Sequence, residues 1–134
     1  MLEYPLTKAN RLRLAQAFRH ARRVDLSIDC VIEGQMGKAF VDDVNHPSVY
    51  QIQTGPFVYL GGDPAGLPAQ ELLRNLQLYT LLMPSAPGWS EAAQAIWGDR
   101  LRAIDRYQFS AENLTFEHLH TCLSDTPFKE QIEQ

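Results

Sequence analysis

The sequence predicts an α/β (α+β) domain built on a mixed, largely antiparallel sheet flanked by helices. Three observations lead there. The apolar period is helical near the start, changes to two-residue alternation with tight turns between residues 25 and 62, and returns to helical after Gly61-Gly62-Asp63-Pro64. With 134 residues, 45% hydrophobic and 21% charged, the chain is long enough to bury one core without staples.

The elements follow in order. Thr7 is placed to cap a helix running to about Arg23, with Leu14, Phe18 and Ala21 on one stripe and Ala17 beside it. In "LSIDCVIEG", Ile28, Cys30 and Ile32 alternate with Asp29, Val31 and Glu33, the pattern of a half-buried strand. "KAFVDDV" and "SVYQIQ" read as two more strands, the second with Tyr50 and Ile52 on one face. "PFVYLGG" is apolar throughout, as a strand covered on both faces must be. Gly34 and Gly37, Asn45-His46-Pro47 and Gly55-Pro56 separate these runs, so an antiparallel meander is expected.

A helix from roughly Leu67 to Leu78 follows, with Leu72, Leu73, Leu76 and Tyr79 forming its stripe. "YTLLMP" reads as a strand ending at Pro84, and "SEAAQAIWG" as a short helix capped by Ser90 and closed by Gly98. "RAIDRYQF" alternates like a strand, and Thr115 is placed to cap a last helix, "FEHLHTCL". The expected organisation is a domain over residues 1–123 and a polar tail or linker over 124–134, broken by Pro127.

Several function classes fall away on composition. No run of eighteen apolar residues exists, and the start lacks a signal peptide's apolar stretch, so no membrane association is expected. Cys30 and Cys122 are far apart with no C-x-x-C, which suits two reduced thiols in a cytoplasmic protein. The net charge of −4 is unevenly spread: residues 1–24 carry six basic side chains against Glu3. That basic helix has only Phe18 as an aromatic, and the acidic remainder would repel phosphate, so nucleic acid is not expected as a partner.

The candidate chemistry is sparse. Asp42 and Asp43 are adjacent, so on a strand they point to opposite faces and cannot share one proton or one metal. Asp43 and Asn45 suit a turn whose backbone their side chains hold, with His46 extended before Pro47 and one acid facing inward and needing a partner. His118 and His120 on a helix diverge too widely to grip one ion, so no metal is expected and His120 falls on the apolar stripe as a core histidine. "YLGGDPAG" has the strand, glycines and helix start that let amides cradle an anion, but no Walker lysine and no G-x-G-x-x-G. Gly61 and Gly62 serve a sharp turn in the competing reading, with Asp63 as a cap that would repel phosphate. Trp89 and Trp97 flank a helix as packing residues, and no serine or cysteine sits in a nucleophile motif.

The order "VIEGQMGKAFVDDVNHPSVYQIQTGPFVYLGGD", a helix, and then "RYQFSAENLTFEHL" resembles the N-terminal half of GNAT-type N-acetyltransferases, the group that includes the zwittermicin-resistance acetyltransferases. The resemblance runs from about Leu12 to Leu123. It implies a mixed α/β domain preceding a second, acetyl-CoA-binding half. That second half carries a Q/R-x-x-G-x-G/A loop whose amides hold the coenzyme pyrophosphate at a helix N-terminus. No match to this loop is present, so no catalytic residue carries over, and no cofactor is expected for this chain alone. Acetyl-CoA would enter only with a GNAT half as partner.

The expected function is therefore the N-terminal domain of an acetyltransferase, or a short relic of one, inactive alone. Two alternatives stand beside it. One is a non-enzymatic homodimer joined through a sheet edge or apolar helix face. The other is a binder of a small cationic ligand at Asp42, Asp43, Gly61, Gly62 and Asp63.

Overall fold

The computed structural model describes residues 1–21, 25–107, 112, 115–117, 120 and 121. The chain divides into two compact units, Met1–Ala103 and Ile104–Gln134. The first contains strand β1 (Leu2–Glu3), helices α1 (Lys8–Ala17) and α2 (Leu26–Ile32), and strands β2 (Lys38–Val41), β3 (Val49–Thr54) and β4 (Phe57–Gly62). Helix α3 (Leu67–Arg74), strand β5 (Leu81–Pro84), helix α4 (Trp89–Trp97) and a 3-10 turn over Gly98–Arg100 complete it.

The five strands lie in chain order β1-β2-β3-β4-β5. The first four run antiparallel, with Ala39, Ile52 and Tyr59 in one row and Val41, Tyr50 and Gly61 two rows along. β5 is parallel to β4, placing Leu60 beside Pro84. A parallel neighbour needs a crossover, and α3 supplies it.

Alternation along β4 splits the core in two. Tyr59 joins Tyr4, Leu14, Phe18, Ile28, Val31, Ala39, Val41 and Ile52 beneath α1 and α2. Val58 and Leu60 join Val49, Leu72, Leu73, Trp89 and Ala93 beneath α3 and α4. Leu14 and Phe18 are fully buried, each stabilising by roughly 2 kcal/mol. The continuous apolar run of β4 is thus explained: helices cover both of its faces.

Four expectations about the helices of the first unit are corrected. The "LSIDCVIEG" segment is helix α2, because Ile28, Val31 and Ile32 bury at helical spacing while Asp25 caps it through Ser27 N. α1 ends at Ala17 with Phe18 as C-cap, well short of Arg23, though the Thr7 cap accepts from Asn10 N as expected. α3 stops at Arg74, so Tyr79 leaves the stripe: it is 97% exposed at φ 65. α4 is capped by Gly88 instead of Ser90, whereas Gly98 closes it as expected.

In the second unit residues 104–107 are not strand, and residues 108 and 109 of the expected "RAIDRYQF" strand lie outside the described residues. Phe116, Glu117, His120 and Thr121 are helical, and the Thr121 hydroxyl donates to the Glu117 carbonyl at 3.0 Å. His120 is exposed, not a core histidine. His118, Cys122 and the 124–134 tail lie outside the described residues.

Candidate functional site

One end of the sheet gathers the residues singled out from the sequence. β2 ends at Val41, so Asp42 and Asp43 belong to the connection into β3 and not to a strand. Asp43 Oδ1 accepts from the amides of Asn45 at 2.7 Å and His46 at 2.9 Å, the Asx turn expected there. The inward acid is Asp42, and its partner is Ser48. Asp42 Oδ1 accepts from the Ser48 and Val49 amides at 2.9 and 3.0 Å, and Oδ2 accepts from the Ser48 hydroxyl at 2.6 Å.

These bonds govern the titration of both acids. Partial burial pushes the Asp42 carboxyl up, but the Ser48 hydroxyl and the Val49 and Ser48 amides outweigh it and hold the group below its ordinary value. The His46 and Asn45 amides do the same for Asp43. A carboxylate held anionic by three donors makes a poor proton acceptor, so Asp42 is a structural anchor. Arg13 adds a strap from α1, its guanidinium donating to the Asn45 carbonyl at 3.3 Å.

Ser48 also reaches β4. Its carbonyl accepts the Asp63 amide at 2.9 Å, and Val49 pairs with Gly62. Asp42, Gly62 and Asp63 are thereby brought together through one residue. Gly62 has φ +87, and a Cβ there would lie 2.3 Å from the Ser48 carbonyl oxygen. Gly61 is buried where α1 ends: an added Cβ would meet Ala17 O and the Phe18 ring at 3.1 Å. Both glycines therefore answer to backbone packing.

The turn from β4 into α3 has few donors to offer an anion. Pro64 and Pro68 carry no N–H. The Asp63 amide is engaged by Ser48, and the Ala65 amide donates to Asp63 Oδ1 at 2.9 Å. Asp63 is thus an Asx-turn residue ahead of the helix, and Gly66 is the N-cap, with no side-chain cap bond. Beside this turn, a groove of about 530 Å³ runs between α3 and α4, lined by Pro64, Ala65, Gln70, Arg74, Ala92 and Ile96, among others.

Sequence reasoning missed Ser48, Arg13 and the Asp25–Tyr59 pair, in which the Tyr59 hydroxyl donates to the α2 cap at 2.8 Å. Asp25 just ahead of Ile28, Val31 and Ile32 was the available signal. The tryptophans pack as expected: Trp89 is fully buried, and Trp97 Nε1 donates to the Leu73 carbonyl at 2.8 Å. Among the described residues no group of three or more His, Cys, Asp and Glu side chains could hold a metal ion, and no helix is long and apolar enough to cross a membrane.

Four antiparallel strands, a parallel fifth reached through a helix, and a strand-to-helix turn at that crossover define an α+β domain of the acetyltransferase type. Residues 17–134 match the GNAT acetyltransferase family, and the chain belongs to that family. Its fold is similar to that of a GCN5-related N-acetyltransferase-like protein from Streptococcus suis, at 26% identity and a TM-score of 0.65. The match covers 85% of this chain and 48% of that one, so the chain spans about half the length of that protein. No curated protein matches it.

Proposed function

We propose that this chain acts as the N-terminal domain of a GNAT acetyltransferase, with the acetyl-CoA-handling chemistry completed by another polypeptide segment. Family membership implies acetyl-CoA as acyl donor in general. The observation that carries the finer reading is the state of the β4–α3 turn, where two prolines lack a donor and two amides are already engaged. The span of about half the Streptococcus suis protein supports it. On this reading the domain, residues 1–123 followed by a 124–134 linker, packs against a GNAT half and forms one wall of the acceptor cleft. It works in the cytoplasm, without nucleic acid. Arg11 supports that last point, since its guanidinium is held by the Leu6 and Glu33 carbonyls at 2.9 and 3.2 Å.

The test is thiol release from acetyl-CoA over a panel of primary amines. The chain alone should give none, and a continuous chain carrying a second GNAT half should turn over. Turnover by the chain alone overturns the reading.

A second reading, a homodimeric interaction module, is favoured by one observation. Leu78 and Tyr79 are 63% and 97% exposed in the connection between α3 and β5. Sedimentation at tens of micromolar decides it, and a strict monomer removes it.

A further inference from the structure

We infer that the β4–α3 turn is closed to a coenzyme diphosphate by its own residues, with Asp63 as the built-in anion. The inference rests on the family reading above, because it concerns the group that the family binds. A diphosphate at a strand-to-helix turn needs several converging N–H groups and no competing negative charge. Between residues 63 and 69 this chain removes donors in three ways. Pro64 and Pro68 delete two outright. The Asp63 amide is committed to the Ser48 carbonyl at 2.9 Å. The Ala65 amide is committed to Asp63 Oδ1, also at 2.9 Å, so a carboxylate already occupies that donor.

The glycines that suggest a cradle do not reverse this. The Gly62 position is filled to within 2.3 Å of a virtual Cβ by Ser48 O, and that of Gly61 to 3.1 Å by Ala17 O and the Phe18 ring. Their missing side chains make room for the neighbouring backbone and for α1, not for a ligand. The residues present therefore do not fit the family's coenzyme at this turn, and the misfit lies in the Asp63 charge and the lost donors, beyond any absent motif.

The experiment is amide chemical-shift mapping with inorganic pyrophosphate, then acetyl-CoA, on the wild-type chain and on the D63G/P68A variant, which frees one amide and restores another. The wild-type amides of Ala65, Gly66, Leu67 and Ala69 should show no saturable shift up to about 1 mM pyrophosphate. The variant should bind roughly tenfold tighter or better, the scale of one charge-assisted hydrogen bond. Saturation at the wild-type turn overturns the inference, and so does a folded variant as unresponsive as wild type. If that variant does not fold, D63N keeps the acceptor and removes the charge; it should still tighten binding, and no change overturns the inference. Acetyl-CoA shifting Arg74 and Ala92 in the groove, with the turn silent, would sink the functional reading and leave this inference standing.

Discussion

The Ser48 hydroxyl donates to the Asp42 carboxylate at 2.6 Å, and the same carboxylate takes the Ser48 amide at 2.9 Å. This pair ties the tip of the β2–β3 connection to β4, because the Ser48 carbonyl in turn holds the Asp63 amide. The candidate site is thus a brace joining two connections at one end of the sheet.

Removing the brace should weaken the fold more than removing its neighbour. Asp42→Ala leaves two amides and a hydroxyl without their acceptor. It should cost about 1–2 kcal/mol, the low end for charge-assisted bonds because solvent screens them. Urea unfolding should show a lower midpoint at unchanged slope. Asp43→Ala, on the exposed side of the turn, should shift the midpoint less.

Acid should act through the same residues. Asp42 and Asp43 both have folded-state pKa values below their ordinary ones. A depressed carboxyl binds fewer protons folded than unfolded, so its stabilisation is present above the unfolded value, about 3.9, and is lost as pH falls through the lower folded value. The stability gap between wild type and Asp42→Asn should therefore be constant near neutrality and close below about pH 4. Urea midpoints measured across that range check it, and a gap that widens in acid contradicts it.

Gly62→Ala should be among the more damaging single changes in the first unit. It combines a left-handed backbone with a Cβ 2.3 Å from Ser48 O. A loss of about 2–4 kcal/mol is expected, read as a fall in thermal midpoint.

The Tyr4 hydroxyl is buried with no hydrogen-bond partner among the described residues, while its ring meets Tyr50 edge-on at 5.9 Å. Replacing an unpaired buried hydroxyl by hydrogen removes a desolvation penalty and keeps the ring contact. Tyr4→Phe should leave stability unchanged or raise it by up to about 1 kcal/mol in urea unfolding. A clear loss would mean the hydroxyl is paired in solution.

Much of this fold was legible because two periodicities alternate cleanly. The "SVYQIQ" segment alternates at the strand period, "PFVYLGG" is too short and too rich in aromatic residues between its glycines to suit a helix, and Gly55-Pro56 between them marks the hairpin. "LSIDCVI" was ambiguous for a physical reason: Ile28, Val31 and Ile32 satisfy the helical period while Ile28, Cys30 and Ile32 satisfy the strand period, and only the Asp25 cap decides. The Asp43 turn was readable from local chemistry. Ser48 as the partner of Asp42 was not, because a contact across six residues depends on how the tip closes. The parallel placement of β5 was equally hidden, since Leu81–Pro84 alone says nothing of direction.

On the proposed reading, coenzyme handling lies outside these residues. Calorimetric titration of acetyl-CoA into this chain alone tests it most directly. No saturable heat is expected up to about 1 mM ligand, and binding in the micromolar range would overturn that reading.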